Sequence, residues 1–160
     1  MKKSAFLRLA SILNTQLEII PLLFGSLGLE QRLQMDLQPD DIDILIPEIY
    51  LAEKWPCIMH IMADSGYTLY DLHEHAFEKD GISVAFAPIE SLAPFAGIGL
   101  AKIPIVTEMN CRYYLLDLPD YLKVYTASSR DGYRQQKKNK NDRQKIHLIQ
   151  QALNTEKSGG

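Results

Sequence analysis

The sequence predicts an α+β domain, in which a small mixed β-sheet carries helices mainly on one face and the chain ends in helices. Three observations favour this class. Short apolar runs ended by Gly or Pro alternate with segments of helical period, residues 82–87 alternate strictly after an Asp-Gly turn, and apolar residues recur at helical spacing near the C-terminus. This order of helices, strands and a hairpin is typical of a mixed sheet covered by helices.

In the first half of the chain, periodicity predicts two buried strands between helices. Phe6, Leu9 and Leu13 form an apolar stripe behind Ser4, which can cap the helix. Pro56 suits the first turn of a helix, so we expect a break before it. The predicted elements are a helix from Ser4 to about Gln16, a strand over 19–24, a helix over 27–34 that begins at Gly25-Ser26, a strand over 42–46, and helical segments over 48–65 that end at Gly66.

The second half of the chain is predicted to begin with a β-hairpin. Asp80-Gly81 has the chemistry of a tight turn, and Pro88 ends the strand that follows. Residues 90–111 are rich in Gly, Ala and Pro and are predicted to be irregular. The elements are a hairpin over 67–89, a short strand over 113–116, and helices over 118–128 and 131–153.

Length and composition predict one globular domain. The chain of 160 residues is 46% apolar and 23% charged, and we assign the domain to residues 1–155 and a disordered tail to 156–160. Its apolar runs are too short to span a membrane and its N-terminus does not resemble a signal peptide, so we expect a cytoplasmic protein without a membrane partner. Cys57 and Cys111 are too few for a structural zinc site.

Charge is distributed unevenly along the chain. The net charge is −3, but residues 130–145 hold seven basic residues against Asp131 and Asp142, a local charge of +5 that leaves −8 elsewhere. Such a segment favours a triphosphate or another polyanion as a partner. The alternative is a solvated helix face.

The most informative motif joins two predicted strands. The first strand ends at Gly25-Ser26, where backbone N–H groups and a hydroxyl can bind an anion and glycine permits close approach. The second strand opens with Asp41 and Asp43, which share one face because side chains alternate along a strand. Two adjacent carboxylates repel each other and favour a divalent cation. The motif therefore predicts a metal–phosphate site, with surface carboxylates in a turn as the alternative.

This motif, followed by a hairpin and a basic final helix, resembles the nucleotidyltransferase superfamily, and within it the small antibiotic-type and minimal enzymes such as the lincosamide nucleotidyltransferases. The resemblance covers residues 19–153 and implies a nucleotidyltransferase-like fold. It implies that Asp41 and Asp43 hold Mg²⁺, and that Gly25 and Ser26 bind the phosphates of a nucleoside triphosphate. The implied reaction transfers a nucleoside monophosphate to a hydroxyl of a small-molecule or protein acceptor.

One position departs from the pattern of that superfamily. Ala85 lies where the resemblance implies a third carboxylate, a metal ligand or general base, and Ala87 replaces a second polar residue. With a two-residue hairpin turn, Glu74 would face Ala85 or Ala87 on the same side of the sheet. We therefore take Glu74 as the candidate third catalytic carboxylate, with an exposed strand residue as the alternative. A three-residue turn would place His73 or His75 there instead.

The resemblance also implies that the basic final helix lies near the nucleotide. We expect Lys137, Lys138 and Arg143 to bind the phosphates of the nucleoside triphosphate or an anionic acceptor, with Lys140 and Lys145 as further candidates.

Two other functions stay open at this point. Ala85 and Ala87 favour a catalytically degraded descendant that binds nucleotide or a protein partner without turnover. Residues 130–145 could instead serve a nucleic-acid-binding module, although we do not expect nucleic acid as the partner. A homodimer also stays open.

Overall fold

A computed structural model describes the backbone of residues 1–130 and 132–159, and the side chains of these residues except 132–141 and 157–159. The helices are α1 (Lys2–Leu17), α2 (Gly25–Leu33), α3 (Trp55–Asp64), α4 (Leu92–Ala96), α5 (Leu118–Arg130) and α6 (Gly132–Gly159). The strands are β1 (Leu22–Phe24), β2 (Asp41–Ile46), β3 (Thr68–Asp71), β4 (Ala76–Lys79), β5 (Ile82–Pro88), β6 (Ile105–Glu108) and β7 (Cys111–Tyr114).

The strands form one mixed sheet in the order β3-β4-β5-β2-β1-β7-β6. Strand β2 runs parallel to β5 and β1 runs parallel to β7, whereas the other neighbours are antiparallel. Helices α1 and α2 pack against the central strands, and α5 packs along α6. The predicted class, an α+β mixed sheet with a helical C-terminus, is confirmed.

Strand β2 lies at the centre of the sheet and has one fully apolar face. Ile42, Ile44 and Ile46 are completely buried, while Asp41 and Asp43 are half-buried on the opposite face. Burying each isoleucine contributes roughly 1.5–3 kcal/mol. This burial sets the register of β2, because a shift by one residue would drive both carboxylates into the core.

Helix α1 begins two residues before the predicted cap, Ser4, and packs its apolar stripe on the sheet as expected. Phe6 and Leu13 are buried, and the ring of Phe6 meets Tyr113 of β7 edge-on, with 5.0 Å between ring centroids. Aromatic pairs favour this geometry. Helix α1 therefore covers the β7 side of the sheet.

The predicted break at Pro56 is confirmed, because Pro56 lies in the first turn of α3, after a short 3₁₀ helix over Glu48–Leu51. Gly66 follows the end of α3 with a φ of 89°. The N–H of Tyr67 then donates to the carbonyl of Met62 at 2.9 Å, which closes a Schellman-type end.

The segment predicted as one hairpin over 67–89 forms three strands. The turn between β4 and β5 is Asp80-Gly81, with φ angles of 50° and 80°. Positive φ at both positions is the type I′ geometry that Asp-Gly sequences favour. The predicted turn is therefore confirmed, but a further turn precedes it.

That further turn spans residues 72–75 and corrects the predicted position of Glu74. Strand β4 begins at Ala76, which pairs with Ala85, so Glu74 does not lie on a strand opposite Ala85 or Ala87. His75 has a φ of 52°, which is incompatible with an extended strand, so β4 cannot begin before Ala76. The turn contains neither Gly nor Pro, the usual signals for a turn in a sequence.

The segment predicted to be irregular contains helix α4 and strand β6. Strand β6 pairs with β7 through a turn at Met109-Asn110, with φ angles of 50° and 64°. The predicted strand over 113–116 is accordingly displaced to β7. Met-Asn is a weak turn signal beside Asn-Gly or Asp-Gly, and this hides the hairpin in the sequence.

Helix α6 continues past Leu153, its predicted end, to Gly159. No Gly or Pro interrupts the helix between Gly132 and Gly159. The assignment of residues 1–155 to one domain and of residues 156–160 to a disordered tail stays a prediction. Within the described ranges, no helix combines the length and the apolarity that crossing a bilayer would require.

Helix α2 packs so closely on its surroundings that one position requires glycine. A methyl group on Gly28 would lie 2.5 Å from the carbonyl oxygen of Leu23 and would overlap the hydroxyl of Tyr121. We expect Gly28→Ala to lower the free energy of unfolding by about 1–2 kcal/mol in a urea titration, because overpacking near the upper end of its usual range of about 1–3 kcal/mol outweighs the roughly 1 kcal/mol gain in helix propensity.

Gly99→Ala is the matched control for this substitution. Gly99 has a φ of −88°, and an added methyl group would meet no atom within 4 Å. This variant should be as stable as the parent or more stable by about 0.4–1 kcal/mol. Equal stability of the Gly28 and Gly99 variants would contradict the packing described for α2.

Candidate functional site

The turn between β1 and α2 brings backbone directly against a carboxylate. Gly25 has a φ of 68°, and a methyl group added to it would overlap Oδ2 of Asp43 and lie 3.2 Å from its Cγ. Phe24, the residue before the turn, pairs with Asp43 across the β1–β2 ladder. Glycine is needed at position 25 both for the positive φ and for the close approach.

The first turn of α2 presents backbone donors at the same place. Phe24 is the N-cap, and no side chain among the described residues caps this nine-residue helix. The first N–H groups of a helix have no partner within the helix, and they carry the positive end of its dipole. Gly25 and Ser26 therefore offer an anion-binding end beside Asp43.

Asp41 and Asp43 lie on one face of β2, as predicted, with Cα atoms about 7 Å apart for this spacing along a strand. Both side chains are half-buried. Their oxygens are hard ligands of the kind that Mg²⁺ prefers. The chemistry of this donor pair fits a divalent cation.

These residues line one open cavity of about 490 Å³. Strands β1 to β5 line it together with the first turn of α2, the turn after β3, and helices α4, α5 and α6. The cavity brings together five predicted site residues and one basic residue from α6, namely Gly25, Ser26, Asp41, Asp43, Glu74 and Lys145.

The wall formed by α5 and α6 is held by a buried hydrogen bond. The hydroxyl of Ser128 donates to Oδ2 of Asp142 at 2.9 Å, and both residues are almost fully buried. Lys145 follows Asp142 by three residues, so the two lie on neighbouring positions of one helix face. Its ammonium group lies 5.3 Å from the ring centre of Tyr125 and lines the cavity. The packing of α6 on α5 thus places a positive charge at the site.

Tyr121 connects α5 to the strand that carries the Gly-Ser turn. Its side chain is fully buried, and its hydroxyl donates to the carbonyl of Leu23 at 3.1 Å. Burial, and to a smaller extent nearby groups including Asp43, raises the pKa of Tyr121 well above its ordinary value. The hydroxyl therefore stays protonated and remains a donor to the strand two residues before Gly25.

Glu74 lies at the rim of the cavity rather than at its floor. Its backbone N–H donates to Oδ1 of Asp71 at 3.2 Å, and its side chain is 68% exposed. Within the described part of the chain, no three His, Cys, Asp or Glu side chains form a group that could hold a metal ion. Glu74 does not complete a three-carboxylate cluster with Asp41 and Asp43.

The other basic residues predicted to bind phosphate either do not line the cavity or have side chains outside the described residues. Arg143 is exposed and does not line the cavity. The side chains of Lys137, Lys138 and Lys140 lie outside the described residues. The roles of Lys137, Lys138 and Arg143 stay predictions, and among described side chains Lys145 is the basic residue that reaches the cavity.

Two polar groups of β3 were missed by sequence reasoning. Asp71 lines the cavity, and so does Tyr70, whose hydroxyl is 2.6 Å from the hydroxyl of Ser83. The sequence could indicate these two residues only if β3 were predicted as a separate strand. The turn over 72–75 lacks the usual turn residues, so the end of β3 is not visible in the sequence.

Comparison with known proteins places the chain in a family. No family model matches it. It is 43% identical over 148 residues to the Bacillus subtilis (strain 168) protein named Uncharacterized protein YnaI, and the match covers 92% of this chain and 95% of that protein. The chain belongs to the YnaI family.

Solved structures show the fold of this YnaI-family protein. A crystal structure of ANT(2″)-Ia in complex with adenylyl-2″-tobramycin matches with a TM-score of 0.59 and 12% identity, over 98% of this chain and 92% of that chain. The antigenic nucleotidyltransferase-like protein of Paracoccidioides brasiliensis matches with a TM-score of 0.59 and 15% identity, over 93% of this chain and 77% of that chain. The predicted nucleotidyltransferase-like fold is confirmed.

The contact between Gly25 and Asp43 predicts a strong effect of Gly25→Ala. The substitution adds left-handed backbone strain of about 1–2 kcal/mol and overlap with the Asp43 carboxylate of about 1–3 kcal/mol. Gly81→Ala is the control, since Gly81 has a φ of 80° but no atom within 4 Å of an added methyl group. In urea titrations the Gly25 variant should lose more stability than the Gly81 variant.

A double-variant cycle separates overlap from strain. Asp43→Ala removes the overlapped carboxylate, so it should recover part of the stability that Gly25→Ala loses, with a coupling of about 0.5–3 kcal/mol. The same Asp43→Ala change should not rescue Gly81→Ala. Additive effects in both pairs would show that the two residues do not touch.

Proposed function

We propose that this YnaI-family protein is a Mg²⁺-dependent nucleotidyltransferase, which moves a nucleoside monophosphate from a nucleoside triphosphate to a hydroxyl of a small-molecule or protein acceptor. The observation that carries the proposal is the approach of the Gly25 backbone to the Asp43 carboxylate inside one cavity. A phosphate-binding turn and a metal-binding pair are useful together only when the ligand is a metal-bound phosphate. The nucleotidyltransferase-like fold supports the same reaction class.

Asp41 and Asp43 are the proposed metal ligands. Mg²⁺ is usually held by one or two carboxylates together with substrate phosphates and water, and this strand supplies such a pair. When bound, Mg²⁺ would neutralise charge on the triphosphate and on the attacking and leaving oxygens. The absence of a Cβ at Gly25 leaves room for the Asp43 carboxylate directly beside the first turn of α2.

The phosphates would be bound from two sides. Gly25 and Ser26 offer N–H groups at the start of α2, and Lys145 brings an ammonium group from α6. Lys137, Lys138 and Arg143 are proposed to add longer-range attraction for the triphosphate, because the basic segment around them carries a local excess of positive charge.

The catalytic role of Glu74 stays a prediction. It lies at the rim of the cavity beside Asp71, away from the proposed phosphate end at Gly25. A general base must lie within hydrogen-bond reach of the attacking hydroxyl, so this position does not support that role. The cytoplasmic location and a homodimer stay predictions.

A second candidate function is favoured by Ala85. Because Ala85, the β5 partner of Asp43, supplies no third carboxylate there, the protein could bind nucleotide or a protein partner without turnover. Incubation with each of the four nucleoside triphosphates and a panel of hydroxyl acceptors, with a coupled assay for pyrophosphate, separates the two functions. Release of pyrophosphate excludes the second function, whereas binding without release favours it.

Removal of either proposed metal ligand should weaken the binding of a nucleoside triphosphate. Asp41→Ala and Asp43→Ala should each lower the affinity for a non-hydrolysable triphosphate at least tenfold, a loss on the order of 1.4 kcal/mol, and should abolish its dependence on Mg²⁺. Isothermal titration with and without Mg²⁺ measures both effects. Asp64→Ala is the control for lost charge, because Asp64 is exposed at the end of α3 and outside this cavity. Metal-dependent binding that survives in the double variant would refute the proposal.

Substitution of Lys145, which lines the cavity, should weaken triphosphate binding more than substitution of Arg143, which does not. Lys145→Gln should weaken triphosphate binding roughly tenfold, because a charge-assisted hydrogen bond contributes about 1.5–3 kcal/mol. Arg143→Gln should have an effect of less than about 1 kcal/mol that disappears in 0.5 M salt, because exposed charges are screened. Titrations at low and high salt compare them. An Arg143 effect equal to that of Lys145 at high salt would contradict this assignment.

A further inference from the structure

Four strands place one residue each in a row across the floor of the cavity. Asp43 of β2 pairs with Ala85 of β5, Ala85 pairs with Ala76 of β4, and Ala76 pairs with Asp71 of β3. Paired residues on neighbouring strands point to the same face of the sheet. The row therefore reads carboxylate, methyl, methyl, carboxylate.

The second carboxylate of this row is too far away to share a cation with the first. Three strand spacings separate Asp71 from Asp43, roughly 14 Å between Cα atoms. Magnesium–oxygen bonds are only about 2.1 Å long. Glu74 lies two residues before the start of β4, in the turn after β3, and is mostly exposed.

Two cations in one phosphoryl-transfer site lie about 3.5–4 Å apart and must be bridged and held by several carboxylates. Ala85 is adjacent to Asp43 and could supply that further ligand only with a longer, acidic side chain. We infer that this site holds one divalent cation, which binds together with the triphosphate, and that Ala85 is the residue that prevents a second. This inference rests on the proposed nucleotidyltransferase function.

The experiment counts the cations directly. Native mass spectrometry would be recorded on the full chain with Mn²⁺ and α,β-methylene analogues of ATP, GTP, CTP and UTP. The parent protein should form a complex with one nucleotide and one Mn²⁺. Electron paramagnetic resonance of the same complex should show an isolated Mn²⁺ signal without the dipolar broadening of a closely spaced pair.

Ala85→Asp should raise the count from one Mn²⁺ to two per nucleotide complex. Ala87→Asp is the matched control: Ala87 lies two residues further along the same face of β5 and pairs with Leu45 instead of Asp43. It adds the same charge to the same cavity wall and should leave the count at one.

Two cations in the parent complex would overturn the inference while supporting the proposed function. A folded Ala85→Asp variant that still binds one cation would overturn it as well. Absence of any nucleotide–Mn²⁺ complex in the parent protein would refute the proposed function and the inference with it. If Ala85→Asp does not fold, as judged by circular dichroism, the parent count and its magnetic resonance signal still decide the question.

Discussion

The contact between the backbone of Gly25 and the carboxylate of Asp43 is the constraint on which the candidate site depends. It exists because β1 and β2 are hydrogen-bonded neighbours in the sheet and because residue 25 has no side chain. The buried isoleucines of β2 set which face the aspartates occupy, and the positive φ at Gly25 starts α2 at the edge of the same face. Core burial therefore positions the polar groups, since the register of β2 cannot change without exposing its apolar face.

Helices α5 and α6, from the second half of the chain, form one wall of the site, and α5 also holds β1 and α2 in place. Tyr121 bonds the carbonyl of Leu23 from α5, and Gly28 of α2 leaves the space that its hydroxyl needs. The buried bond between Ser128 and Asp142 joins α5 to α6. Buried polar groups are costly without partners, so each of these bonds favours a single arrangement of the two helices. These bonds therefore place Lys145 of α6 and Tyr125 of α5 at the cavity.

The sequence correctly predicted those turns and helix starts whose backbone geometry is set by a few adjacent residues. The Asp-Gly turn at residues 80 and 81 and the helix start at Pro56 were predicted correctly, because their backbone geometry follows from residue type. Turns at 72–75 and at Met109-Asn110 were missed, because neither contains the Gly or Pro that usually signals a turn in a sequence. The first omission misplaced Glu74, and it also concealed Asp71 as part of the cavity floor.

The sequence by itself determined the groups at the Gly25 end of the cavity: a glycine turn and two carboxylates on alternate positions of an apolar strand, whose periodicity follows from the pleat of the backbone. Only the tertiary structure decided which distant groups meet there. It selected Lys145 over Arg143 among the described side chains, because the phase of α6 is set by its packing on α5. It also paired Ala85 with both Asp43 and Ala76, because strand order is a property of the whole sheet that no local pattern contains.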